Sequence, residues 1–301
     1  MKIAITGATG LIGGRIVEAL KARGDEVTVL SRSPQRAAAA LGVEAIGWDA
    51  LAEPAPREAL EGRDGVIHLA GEPVAQRWTE SSKRAILSSR EIGTRNLVAG
   101  IAASEPRPGV LISSSAVGYY GKHGDETIDE QCPAGSDFLA KVCVAWEREA
   151  VAAEQLGLRV VLIRTGIVLD ASGGALKTML PPFRAGVGGP VAGGKQYMPW
   201  IHADDIVGLY LTALDSSSWS GPVNGTAPSP VTNATFSKEL GKALHRPSLF
   251  PVPGFVIRAR FGEMAELVTE GQRAIPAAAA ANGYQFIEPE LGPALTSVLA
   301  D

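Results

Sequence analysis

The chain is poor in the residues that build metal and disulfide sites. Only two cysteines occur, Cys132 and Cys143, and the four histidines, His68, His123, His202 and His245, are scattered. No pair has metal-ligand spacing, which excludes a structural zinc or a disulfide framework and points to a reducing compartment. No apolar run approaches the ~20 residues a membrane span needs. No block of Lys or Arg stands out of a net charge of −4, so neither a nucleic-acid groove nor a membrane surface is expected. The first strand begins at Lys2, which leaves no room for a signal peptide, and a cytoplasmic location is expected. A G-x-S-x-G elbow is also missing, which removes the serine-hydrolase reading.

What the sequence does carry is a rhythm. Short β-branched runs at Lys2–Thr6, Glu26–Ser31, Val43–Trp48, Gly65–Ala70, Gly109–Ser114 and Arg159–Thr165 alternate with helical stretches at Leu11–Arg23, Pro34–Leu41, Lys83–Ala103 and Asp137–Leu156. Strands apolar on both faces and joined by helices predict a parallel sheet covered on both sides. The fold class is therefore α/β, a Rossmann-type doubly wound parallel sheet with a small C-terminal substrate-side lobe. After Thr165 the pattern changes. The Gly- and Pro-rich stretch Leu169–Pro199 predicts a loop-dominated segment, followed by a helix over Asp204–Leu214, a returning strand near Pro222–Gly225 and a helix over Thr232–Leu244. Residues 1–168 with about 200–227 form the expected nucleotide domain. Residues 169–199 and 228–301 form the expected lobe.

The strongest local signal is Thr6-Gly7-Ala8-Thr9-Gly10-Leu11-Ile12-Gly13, between the first strand and first helix. Gly7 permits the tight turn, Gly10 lets a pyrophosphate approach, and Gly13 lets the helix pack on the strand. Thr9, Gly10, Leu11, Ile12 and Gly13 would surround the phosphates, held by free N–H groups and the positive end of the helix dipole. The spacing is GxxGxxG, one residue longer at the first gap than the usual dinucleotide fingerprint. At the end of the second strand, where an NAD site usually places Asp or Glu, stand Ser31, Arg32 and Ser33, with Arg36 a turn later. A guanidinium pairs with a 2′-phosphate through charge-assisted bonds, so NADP(H) is the expected cofactor. Asp49 either meets the adenine or caps the next turn.

These segments resemble a known family. TGATGLIG at the first turn, DGVIHLAG (64–71), LISSSAVGYYG (111–121), RTGIVL (164–169) and PWIHADDIV (199–207) are similar to the extended short-chain dehydrogenase/reductases, which include the sugar-nucleotide epimerases. GEPVAQRWTESSK (71–83), SREIGTRNL (89–97), MLPPFRAGVGGPVAGGKQYMPWIH (179–202) and EGQRAIP (270–276) resemble an atypical branch of epimerase family proteins. The resemblance implies strand order 3-2-1-4-5-6-7 and a pyridine dinucleotide along the strand ends. It places Ala70 and Gly71 on the adenosine side, with Arg90, Ser113 and Lys141 flanking the ribose and nicotinamide. Relatives often dimerise through a four-helix face, which makes a homodimer an expectation here.

Active members of that family use a Ser near the fifth strand and a Tyr-x-x-x-Lys pair one helix later, the lysine lowering the tyrosine pKa so that the phenol moves a proton during hydride transfer. Here Lys141 is preceded four residues earlier by Asp137, which caps the helix, pairs with Lys141, or, with its pKa raised in a closed dry site, serves as the acid–base group itself. Ser115 matches the catalytic serine, with Ser114 in contention. Tyr119 and Tyr120 are the substitute proton donors. His202, Asp204 and Asp205 make a poor metal constellation and read as a helix start, so no metal is expected. Lys195, Gln196 and Tyr197 are substrate-side candidates. The expected function is an NADP(H)-dependent oxidoreductase of unusual mechanism on a small carbonyl or hydroxyl compound of unknown identity. A non-catalytic NADPH sensor is the alternative, and a nucleotide-sugar epimerase is disfavoured because epimerisation needs the missing tyrosine.

Overall fold

A computed structural model describes residues 1–300. Seven parallel strands form the central sheet: β1 (Lys2–Thr6), β2 (Glu26–Ser31), β3 (Glu44–Gly47), β4 (Gly65–His68), β5 (Val110–Ala116), β6 (Arg159–Thr165) and β7 (Gly221–Gly225). Their spatial order is β7-β6-β5-β4-β1-β2-β3, the doubly wound arrangement expected from the alternating sequence pattern. The order reverses beside β1. The strand ends around β1 and β4 therefore open a crevice where helices depart to opposite faces.

Alternation within each strand feeds two separate cores. Ile3, Ile5, Val27, Val29, Ile67, Ile112, Val161 and Ile163 point to one face, against α1 (Leu11–Ala22) and a helix over Ala203–Asp215. Ala4, Leu30, Val66, Leu111, Val160 and Leu162 point to the other, where Leu97 and Ile101 of α3 (Glu80–Ala103) and Ala150 of α4 (Phe138–Val151) cover them. Helix α2 (Pro34–Leu41) joins β2 to β3 and begins with Pro34 at its first turn, where a missing N–H costs nothing. Helix α3 starts three residues before the sequence pattern suggested. Thr79 and Ser82 form a capping box there.

The Gly/Pro-rich stretch is not loop-dominated throughout. Gly174–Arg184 forms an eleven-residue helix, α5, that contains Pro181 and Pro182. Leu176, Leu180 and Phe183, spaced for one helical face, bury into a third core with Leu169, Met198 and Trp200. Tertiary packing of that face outweighs the two prolines. The same core takes Phe236 and Leu240 of α7 (Asn233–Ala243), and Leu291, Leu295 and Val298 of the last helix, α9 (Leu291–Ala300). Between them lie α6 (Ala203–Asp215) and α8 (Gly254–Phe261). None of the described helices is long and apolar enough to cross a membrane.

Candidate functional site: a dinucleotide crevice with an altered catalytic helix

The turn from β1 into α1 has the shape its glycines require. Gly7 sits at φ +70°, and a Cβ there would lie 2.6 Å from the carbonyl carbon of Leu69. A Cβ on Gly13 would lie 2.4 Å from the Gly7 oxygen, so α1 approaches the turn as closely as backbone allows. Gly10 is the N-cap and brings no side-chain cap, and no acidic residue occupies the first turn. The helix N–H groups near Leu11, Ile12 and Gly13 are therefore left for an anion. Thr9 and Gly10 are exposed at its edge.

The end of β2, the strand beside β1, is followed by positive charge. Ser31 accepts a hydrogen bond from the Ser33 N–H at 3.1 Å, which turns the chain after the strand. Arg32 and Arg36 are exposed and, among the described residues, have no ionic partner. Asp49 accepts from the Leu51 N–H at 3.0 Å and so serves as a turn cap.

Register brings Thr6 beside His68, and His68 beside Ser113. The Thr6 hydroxyl accepts from the N–H groups of Leu69 and Ala70, at 3.2 and 3.3 Å. Its own proton then goes to His68 Nδ1 at 2.6 Å, and Nε2–H donates to Thr94 at 2.9 Å. Complete burial, with the Arg90 charge nearby, pulls the His68 pKa down to about 3, so the ring is neutral. This brace ties β1, β4 and α3 together under the crevice. The sequence reading passed over it, although a lone histidine in an otherwise apolar strand was a visible signal.

Beyond β4, Arg90 lies against Gly71. A Cβ on that glycine would come within 3.0 Å of the guanidinium carbon. Arg90 donates to the carbonyls of Glu72 and Ile86, at 3.0 and 3.2 Å, and stacks on Trp146 at 4.9 Å. Ala70, Gly71 and Arg90 thus meet at one wall. Ser113 is buried one strand over, its hydroxyl donating to the Ser114 carbonyl at 3.2 Å.

The other two serines are committed elsewhere. Ser114 faces α6 and shares a 2.5 Å hydrogen bond with the buried Tyr210 hydroxyl. Ser115 faces α4 and donates to Glu147 at 2.6 Å. Both hydroxyls are engaged in buried hydrogen bonds, because alternate strand residues point to opposite, packed faces.

Lys141 is exposed on α4. Asp137 is the N-cap of α4 and accepts from the Ala140 N–H at 2.9 Å, the capping role, and makes no ion pair with Lys141. At 100° per residue, Lys141 falls on the exposed face with Val144 and Arg148, opposite the buried Cys143 and Ala150. Counting back four from the buried positions gives Leu139 and Cys143, followed by Glu147. Leu139 packs on the turn at Gly118, and the Cys143 thiol points at the Ala116 carbonyl, 3.7 Å away. Burial pushes that thiol up to about 12. It is a neutral, apolar occupant of the inward face.

Next to it lies a network that the sequence reading did not find. Arg164, near the end of β6, makes two hydrogen bonds to the Glu147 carboxylate, at 2.9 and 2.8 Å, with both side chains nearly buried. Burial works against the cation, yet the Glu147 contacts hold its pKa above the ordinary range. Arg164 also donates to the Tyr120 hydroxyl at 3.0 Å, and Tyr120 donates to Asn224 at 2.6 Å. Tyr120 is 1% exposed and its pKa is raised to about 12, chiefly by burial, so it is a structural member of the network. Tyr119 differs. The Arg164 guanidinium lies 3.5 Å from its ring centre, and its half-buried phenol has no hydrogen-bond partner among the described residues. The signal for Arg164 was a charge inside the apolar run RVVLIRT, which demands a buried partner.

On the opposite side, the 170–174 segment folds over the glycine turn. Asp170 accepts from Arg15 of α1 at 2.7 Å and from the Ser172 hydroxyl at 2.6 Å, while Gly173 and Gly174 rest on Leu11. His202 caps α6 by accepting from the Asp204 N–H at 3.1 Å. Asp205 is buried and clasps the N–H groups of Ile287 and Glu288, at 2.7 and 3.0 Å. Gln196 donates to the carbonyls of Val191 and Val268, bracing the lobe, whereas Lys195 is exposed and Tyr197 is half-buried under Arg273.

Residues 3–224 match the model of the NAD dependent epimerase/dehydratase family. The chain belongs to that family. Residues 252–298 match a further domain of unknown function, DUF1731. Over 302 residues the chain is 40% identical to the chloroplastic epimerase family protein SDR39U1 homolog of Arabidopsis thaliana, covering 99% of this chain and 87% of the relative. It is 39% identical to the epimerase family protein SDR39U1 of Mus musculus, with both chains fully covered. The crystal structure of human epimerase family protein SDR39U1 with NADPH superposes with a TM-score of 0.89 at 36% identity, again over all of both chains.

This member of the epimerase/dehydratase family is an atypical one. The inward-facing positions of α4 hold Leu139 and Cys143, and the Ser114 and Ser115 hydroxyls of β5 are engaged in buried hydrogen bonds. The phosphate-binding turn is intact.

Proposed function

We propose that this protein binds NADP(H) and reduces small carbonyl compounds, with Tyr119 rather than a helix α4 tyrosine handling the proton. The observation that carries the cofactor assignment is the uncapped start of α1 together with two exposed, unpaired guanidinium groups, Arg32 and Arg36, just past β2, the strand paired with β1. A diphosphate satisfies the first and a 2′-phosphate the second. The human relative crystallised with NADPH supports the same choice.

When bound, the nicotinamide supplies a hydride to the carbonyl carbon, and the carbonyl oxygen must gain a proton. Tyr119 is the one phenol of the site whose hydroxyl is uncommitted, and Arg164 beneath its ring stabilises negative charge left after proton release. Glu147 keeps Arg164 in place, and Ser115 completes that carboxylate's hydrogen bonds. Arg90 and Trp146 shape the wall beside Gly71.

A second reading, a non-catalytic NADPH sensor, is favoured by Leu139 and Cys143 on the inward helix face, which remove the family's usual proton relay. Two measurements separate these. Fluorescence titration should show NADPH binding at least ~10-fold tighter than NADH, with Arg32→Asp erasing the difference; equal affinities in the wild type would remove the cofactor assignment. A panel of aldehydes and ketones should then oxidise NADPH, and silence across it would leave the sensor.

A further inference from the structure

Beyond the Tyr119–Tyr120 turn, the C-terminal lobe forms an open, solvent-facing pocket of about 310 Å³ lined by Lys122, Ala192, Gly254, Phe255, Arg258, Thr269 and Glu270. It is joined to the turn directly. Lys122 follows Tyr119 by three residues, Gln272 donates to the Gly121 carbonyl at 2.6 Å, and the His123 N–H donates to Gly271 at 3.2 Å. Its walls converge at Gly254, where a Cβ would lie 3.3 Å from Ala192 and 3.9 Å from Thr269.

The charge inside this cavity is unbalanced. Lys122 and Glu270 neutralise one another at 2.8 Å. Arg258 is exposed and has no ionic partner among the described residues. Phe255 stands three residues before it on α8, so ring and guanidinium share one helix face. Phe255 is 74% exposed, an apolar surface that a ligand would cover. Pro253 gives α8 no side-chain cap, so the N–H groups of Gly254 and Phe255 add to the positive character at the cavity's edge. The volume stands at the lower end for small-molecule sites.

We infer that this cavity holds the far end of a small monoanionic substrate, an organic acid with an apolar body whose carboxylate pairs with Arg258 and whose carbonyl reaches toward Tyr119. The inference deepens the carbonyl-reductase reading and rests on it for the position of the reacting carbon. It also sets the substrate class apart from nucleotide sugars, whose diphosphate brings two negative charges and whose bulk exceeds this space.

The test compares 4-carboxybenzaldehyde with its uncharged methyl ester by isothermal titration on the full-length protein, with and without NADPH. The acid should bind at least ~10-fold tighter than the ester. Arg258→Gln should abolish the preference while unfolding at the wild-type temperature, and Arg258→Lys should retain much of it by keeping the charge. Equal affinities, a preference surviving in R258Q, or no binding of the acid at millimolar concentration each overturn the inference. NADPH affinity, measured on the same wild-type samples, reports separately on the cofactor reading: tight NADPH without acid preference sinks the cavity assignment alone, and acid preference without NADPH binding sinks the reductase.

Discussion

Glu147 and Arg164 meet across the seam between α4 and β6 as a buried, doubly hydrogen-bonded ion pair, at 2.8 and 2.9 Å. Around it one corner of the fold is organised: Ser115 donates its hydroxyl to the acid, and Tyr120 accepts from Arg164 while donating to Asn224. Tyr119 lies over the same guanidinium with its phenol free. The pair therefore decides which hydroxyls of the corner are engaged and which is left without a partner.

Breaking that pair should be costly. Glu147→Ala leaves a guanidinium buried without its counter-charge, and a loss of roughly 3–5 kcal/mol in unfolding free energy is expected from urea denaturation. Replacing both residues by Met removes the stranded charge and should recover most of the loss. A double variant as unstable as the single would show that the stabilisation comes from packing rather than charge.

Tyr119 and Lys141 should separate cleanly in kinetics. Tyr119→Phe removes the proposed proton donor and should lower kcat by about 10²-fold or more in NADPH-consumption assays, with NADPH affinity little changed. Lys141→Ala alters an exposed residue on the outer face of α4 and should leave kcat within about twofold. The reverse ranking would restore Lys141 to the active centre.

His68 makes stability depend on acidity. Its folded pKa of about 3 lies below the ordinary 6.5, so below pH 6.5 the unfolded chain binds a proton that the folded chain refuses. The contribution is fully present above pH 6.5. It is lost as pH falls toward 3, by at most about 1.4 kcal/mol per pH unit. His68→Gln should therefore flatten the stability profile between pH 6.5 and 3 by one proton's worth, measured by urea midpoints across that range. Identical slopes in the two proteins would mean that His68 is protonated in the fold.

Much of the fold was legible because it depends on local pattern. Apolar runs such as GVIHLA and RVVLIRT can only be central parallel strands, and the helices between them set their order. The glycine turn was legible for the same reason: Gly7 and Gly13 sit where no Cβ fits, so residue type reports backbone geometry directly. Helix α5 was not, since Pro181 and Pro182 spoke against it and only the burial of Leu176, Leu180 and Phe183 stabilises it. Helix α4 was legible only in part. Spacing of four matched Lys141 to a family pattern, but spacing fixes only which residues share a face, not which face turns inward.

By itself, the sequence determined a doubly wound sheet opening on a phosphate-binding turn with arginines at its rim, because periodicity and glycine positions act over a few residues. Tertiary structure alone decided the rotation of α4, the burial of Arg164 against Glu147, and which hydroxyls, those of Ser114, Ser115 and Tyr120, are engaged in buried hydrogen bonds while that of Tyr119 is not. Those outcomes follow from which partners, distant in the chain, compete for each hydrogen bond once the elements pack.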